Sequence, residues 1–145
     1  MARLDRDAVR EHLLALEETV AVLRTKADWT PEALRDEPTK LWVVAHGLQL
    51  AIQNVVDIAA HIGASLRSGA SAADYRDAIL TLGESGVLER PFADRIAPMA
   101  GLRNIIVHGY LRLEVERLVD ALGNLDDFGA FARAIHTFLA ANPGL

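Results

Sequence analysis

An all-α fold is predicted by three features of this sequence. Apolar residues recur at spacings of three and four through long stretches, no stretch alternates with the period of two that marks a half-buried strand, and Ala and Leu dominate a chain poor in aromatics. With 145 residues, the chain reads as one domain spanning 1–145, long enough to bury a core and too short for two independent ones.

The elements follow in order. Val9, Leu13, Leu16, Val20, Leu23 and Ala27 share one face of a first helix that should end near Asp28. Thr30-Pro31 reads as a cap with a first-turn proline, and Pro38 interrupts again, so a short helical turn is expected between them. Leu41, Ala45, Leu48, Ile52, Val55, Ala59, Ile62 and Leu66 mark the longest helix, running to about Arg67. Its opposite face carries His46, Gln49, Gln53, Asp57 and His61 among Val43, Leu50, Ala60 and Ala64 rather than the Lys and Glu of a solvated surface. Such a helix is expected to be buried on both sides, with another subunit as the second partner.

Ser68-Gly69-Ala70-Ser71 reads as a loop, and Ser71 or Asp74 as the cap of a third helix carrying Tyr75, Ile79 and Leu82 and ending at Gly83 or Gly86. A fourth begins around Pro91; at Pro98 either a kink falls or a new helix starts, running to Val107 or His108, with Gly109 as the stop. A short helix over residues 115–122 is closed by Gly123. Asn124 is placed to cap a last helix whose face is Phe128, Phe131, Ile135 and Leu139, before Asn142-Pro143-Gly144. The architecture expected is an antiparallel bundle of five or six elements, four to five of them main helices.

Cysteine is absent, which excludes disulfides and thiolate metal sites and leaves a reducing cytoplasm as the expected compartment. No signal-type leader and no membrane-length apolar run is evident, so a soluble protein is expected. A net charge of -5 argues against broad coating of nucleic acid while leaving room for a small basic site.

That site is sought in Gly101-Leu102-Arg103-Asn104-Ile105-Ile106-Val107-His108-Gly109-Tyr110, where four polar groups interrupt apolar residues. On a helix Asn104 and His108 lie one turn apart, and Arg103 is long enough to reach the same point. Metal-free cleavage of RNA needs a base for the 2'-hydroxyl, an acid for the leaving 5'-oxygen and a cation for the phosphorane. Imidazole exchanges protons near neutrality and guanidinium matches phosphate oxygens, so His108 and Arg103 suit two of these needs. One histidine does not easily serve as acid and base together, and a dimer sharing one cleft would supply the second. The plainer roles are a surface ion pair for Arg103, a helix-end residue for His108, a backbone-bonding Asn104 and a core aromatic for Tyr110. Asp57 either orients His108 or Arg103 or sits in an interface salt bridge. His46 and His61 lie too far apart along one helix to share a metal; Trp29 and Trp42 read as core or subdomain anchors, and His12 and His136 carry no signal.

Arg103-Asn104-x-x-x-His108-x-Tyr110 resembles the Arg-x(4–6)-His-x-Tyr signature of HepT toxins, with the polar residue after Arg typical of HEPN nucleases. Leu48-Gln49-Leu50-Ala51-Ile52-Gln53, Val56-Asp57-Ile58-Ala59, Tyr75-Arg76, Gly86-Val87-Leu88, Met99-Ala100-Gly101-Leu102 and Asn124-Leu125-Asp126-Asp127-Phe128 are also similar to that family in order and spacing, over roughly residues 40–139. The resemblance implies a HEPN homodimer that cleaves RNA or tRNA at its interface without metal or cofactor. It also implies a type VII toxin neutralised by a cognate MNT-type nucleotidyltransferase antitoxin. By the same resemblance Tyr110 is the acceptor on which the antitoxin deposits AMP, adding negative charge beside Arg103, and Gln49, Gln53 and Asp57 are supporting interface residues. The alternative is a catalytically weak HEPN adaptor that binds a nucleotidyltransferase or a nucleotide.

Overall fold

The computed structural model describes residues 3–66 and 74–145. The loop expected at residues 68–71, the alternative cap Ser71 and the run-on to Arg67 lie outside them. Among the described residues every regular element is helical: α1 (Arg6–Arg24), α2 (Pro31–Asp36), α3 (Pro38–Leu66), α4 (Tyr75–Glu84), α5 (Arg90–Ile96), α6 (Met99–His108), a 3-10 turn (Leu111–Glu114), α7 (Val115–Gly123) and α8 (Asp126–Ala141). The five longest, α1, α3, α4, α6 and α8, are the main helices of the bundle.

Local chemistry explains most boundaries. Asp5 Oδ1 accepts from the Ala8 amide at 3.0 Å to start α1, Thr30 Oγ1 from Ala33 at 3.1 Å to start α2, and Asp74 Oδ1 from Asp77 at 2.7 Å to start α4. Pro31 and Pro91 occupy first-turn positions, where a missing N–H costs nothing. Of the two alternatives at Pro98 a new helix is the one observed: α5 stops at Ile96, and Pro98, with φ -60°, is the N-cap from which α6 departs rather than a first-turn residue. Asn124 does not cap α8. Its amide donates to the Asp120 carbonyl at 2.8 Å and closes α7 instead, leaving Leu125 at the start of α8. The 3-10 turn is an addition to the expected order.

α3 is the axis of the molecule. α1 packs along it most extensively, and α2, α4, α6, α7 and α8 also rest on it. The face predicted from Leu41 to Ile62 is buried throughout, as are Val9, Leu13, Leu16, Val20 and Leu23 of α1 and Phe128, Phe131, Ile135 and Leu139 of α8. Gly47 permits the α1–α3 approach, because a Cβ there would stand 2.5 Å from Leu23 Cδ2. Arg6 joins the start of α1 to the end of α8, donating to the Leu139 carbonyl at 2.7 Å and the Asn142 carbonyl at 2.9 Å. Arg35 of α2 pairs with Glu116 of α7, and this hydrogen bond holds the Glu116 carboxyl below its ordinary range.

Three expectations need correction. Ala27 is exposed, because α1 gives way to turns after Arg24. Trp29 packs at the core margin between the ammonium groups of Lys26 and Lys40, but Trp42 is no core anchor, being 66% exposed on α3. And α3 is long and apolar enough to cross a membrane by length and composition, with a mean hydropathy of 1.3 over its best window. Half of that window is buried inside the bundle, and Gln49, Gln53 and Asp57 interrupt its other face, so packing accounts for its apolarity.

Candidate functional site

α6 and the outer side of α3 bring the motif residues together in two groups. Leu102 and Ile106 are buried and anchor α6 against the bundle, which turns Arg103 toward α3 and leaves Asn104, Val107 and His108 exposed. In the first group a chain of side chains crosses from one helix to the other. Gln53 Nε2 donates to Asp57 Oδ1 at 2.9 Å, and Gln53 Oε1 accepts from Arg103 Nε at 3.0 Å. Arg103 Nη1 reaches Asn104 Oδ1 at a longer 3.4 Å, and the guanidinium carbon sits 4.8 Å from the centre of the Tyr75 ring.

The arrangement has a direction. Asp57 fixes which way the Gln53 amide points, since the amide nitrogen must face the carboxylate and its oxygen must then face Arg103. Gln53 occupies the Nε–H of the guanidinium, and the tyrosine ring covers part of it. The terminal nitrogens keep donors for two oxygens of an anion, the way in which the planar guanidinium grips phosphate. Asp57 therefore acts on Arg103 at one remove, through an amide. Gln49, half-buried one turn before Gln53, takes no part in this chain of bonds.

The second group lies at the end of α6. Gly109 stops the helix with φ +82°, its amide donating to the Ile106 carbonyl, and the reversed backbone sets Tyr110 beside His108, ring centres 6.5 Å apart. Both rings are exposed, Tyr110 to 60%. Tyr110 is thus not a core aromatic. Val107 and Leu113, the latter 81% exposed, are further apolar side chains open to solvent in the neighbouring sequence.

Two contacts escaped sequence reasoning. The sequence places Tyr75, Ile79 and Leu82 on one helix without distinguishing their roles, yet only Ile79 and Leu82 are buried and Tyr75 lies under Arg103. Position in the first turn is the reason: α4 begins there, before its inner face meets α3. His12, for which sequence offered nothing, accompanies Asn54 at 2.9 Å and stands 5.8 Å from the His61 ring across the α1–α3 seam. Among the described residues no group of three or more potential metal ligands occurs.

A family model described as Ribonuclease HepT-like matches residues 7–135. The tRNA nuclease HepT of Aphanizomenon flos-aquae is 34% identical over 93 residues, 63% of each chain. The mRNA nuclease HepT of Shewanella oneidensis is 33% identical over 89 residues, 61% of this chain and 66% of that one. These matches span just under two thirds of either relative. Among solved structures, the tri-AMPylated HEPN toxin of Shewanella oneidensis in complex with MNT antitoxin superposes with a TM-score of 0.79 at 24% identity, covering 90% of this chain and 98% of that one. The cytosolic protein YutE of Bacillus subtilis, of unknown function, gives 0.77 at 19% identity over 100% and 97%. At such identities the structural likeness establishes the fold.

Proposed function

Because the chain belongs to the HepT-like ribonuclease family, we propose that it is an endoribonuclease toxin of the HEPN/MNT kind, cleaving RNA or tRNA without a metal ion. The observation that carries this reading is the Asp57–Gln53–Arg103 chain, which presents a positioned guanidinium on the same helix as an exposed histidine. Arg103 grips the scissile phosphate, and Asn104 lies beside it as a further polar contact. His108 of one protomer takes the proton of the 2'-hydroxyl, whose oxygen attacks phosphorus. His108 of a second copy protonates the leaving 5'-oxygen as the P–O bond breaks. The exposed side of α3, with Trp42, Val43, His46 and Leu50, and the half-buried Gln49 are the surface on which that second copy docks.

Control follows from Tyr110. Its side chain is largely exposed beside His108, as a residue receiving AMP from a nucleotidyltransferase antitoxin has to be, and each added phosphate repels the RNA that Arg103 attracts. A second reading, a catalytically weak adaptor for a nucleotidyltransferase or nucleotide, draws on the acidic net charge of -5.

The test is cleavage of tRNA and mRNA by the purified chain. His108→Ala and Arg103→Ala should each lower the rate by about 10²–10⁴-fold, the usual worth of a proton-transfer or charge-stabilising group, with unchanged helical content and melting temperature. Full activity in both variants would sink the nuclease reading, and an inactive wild type would favour the adaptor.

A further inference from the structure

Beside the Arg103–Tyr75 pair opens a groove of about 630 Å³, lined by Asp74, Tyr75 and Arg76 at the start of α4, by Pro98, which caps α6, and by Gly101 and Asn104 within α6. Two of these residues also touch Arg103: Tyr75 lies under its guanidinium, and Asn104 accepts from it. A ligand held by Arg103 therefore has this groove as its immediate neighbour.

We propose that the groove is the subsite for the ribonucleoside adjoining the phosphate held by Arg103. The inference rests on the nuclease reading above and adds to it the place where one base of the substrate is held.

Three properties fit such an occupant. The volume lies within the roughly 300–1,000 Å³ of small-ligand sites, enough for a base and ribose together. The chemistry is mixed as a nucleoside requires: an aromatic ring 39% exposed, an amide able both to donate and to accept at a base edge, and small residues, Pro98 and Gly101, against which a planar base lies flat. Arg76, an exposed residue lining the groove, offers a cation for a flanking phosphate alongside the Asp74 carboxylate. Asp74 Oδ1 is engaged in capping α4, so the wall is held in place from within its own helix.

Gly101 provides a way to test this without disturbing the fold. A Cβ built there meets nothing within 4 Å, so a larger side chain enters open space beside the groove rather than the core. Leu is also a better helix former than Gly, and Gly101→Leu should fold at least as stably as the parent.

The experiment titrates the full-length protein, Gly101→Leu and His108→Ala with ribonucleoside 5'-monophosphates by calorimetry, and measures KM and kcat for a single-stranded RNA oligonucleotide. In the wild type the mononucleotide binds and inhibits cleavage competitively. Gly101→Leu should lose that binding and raise KM at least tenfold, while His108→Ala binds the mononucleotide as the wild type does and loses cleavage rate by the roughly 10²–10⁴-fold expected above. Arg76→Glu provides an independent arm and should raise KM and flatten its salt dependence.

Unchanged KM and unchanged nucleotide binding in Gly101→Leu would overturn the proposal and leave the nuclease reading standing. Tight mononucleotide binding that does not compete with RNA would overturn it in favour of a free-nucleotide site. If the wild type fails to cut RNA, the nuclease reading falls; nucleotide binding lost in Gly101→Leu but kept in His108→Ala would still place a nucleotide in the groove.

Discussion

Arg103 is used unevenly by the fold: its Nε–H is committed to Gln53, its flank to the Tyr75 ring, and its terminal nitrogens carry the remaining donors. In our reading, holding a long side chain in this way removes rotamer freedom beforehand and so lowers the entropy lost as the guanidinium meets the charge developing on the phosphorane. Gln53 is on this account a positioning residue. Gln53→Leu should keep the melting temperature within a few degrees and lower kcat by about tenfold, roughly the loss of one charge-assisted hydrogen bond, with KM changed far less. Equal losses in kcat and stability would show that Gln53 merely packs. The motif itself was legible in sequence because Arg103, Asn104, His108 and Tyr110 stand out among apolar neighbours. Tyr75 was not, since contact between the first turn of one helix and the middle of another depends on how α4 and α6 lie on α3. The His12–His61 proximity was hidden for the same reason, its members being 49 positions apart in the chain.

At the scale of elements, the boundaries carry the function. α6 begins at Pro98 and stops at Gly109, and the positive φ of Gly109 turns Tyr110 toward His108. Nothing lies within 4 Å of a Cβ added at Gly109, so a substitution there is opposed by backbone conformation alone. Gly109→Ala should lower stability by about 1–2 kcal/mol in urea unfolding and, in our reading of Tyr110 as an AMP acceptor, reduce its AMPylation, whereas Gly109→Asn, better suited to the left-handed region, should lose less. An alanine variant as stable as the parent would contradict this view of the turn. Helix order was readable because Thr30, Asp74, Pro31, Pro91, Gly109 and Gly123 are local signals that act within a turn or two. The Asn124 assignment failed because asparagine bonds equally well backward to a helix end or forward to a helix start, and only packing selects between them.

The whole molecule is a bundle built around one helix that remains half-covered. α3 buries its inner stripe against α1 and the later helices, but Trp42, Val43, His46 and Leu50 on its outer side face solvent in the single chain. The unusual polarity of this face was apparent from sequence, and the second body expected to cover it is, in our reading, another copy. Leu50 is 42% exposed, so Leu50→Glu should leave the monomer fold within about 0.5 kcal/mol of the parent. It should also shift the protein from dimer to monomer in sedimentation equilibrium and abolish cleavage. A Leu50→Glu protein that stays dimeric would move the seam elsewhere.

The central claim is that Arg103 and two copies of His108 perform the cleavage without a metal ion, and the ends of the RNA products report on it directly. Digestion in excess chelator should yield a 2',3'-cyclic phosphate and a 5'-hydroxyl, the products of attack by the neighbouring 2'-oxygen, and His108→Ala should yield neither. Products ending in 3'-hydroxyl and 5'-phosphate, or activity that vanishes with chelator and returns with added Mg²⁺, would contradict it.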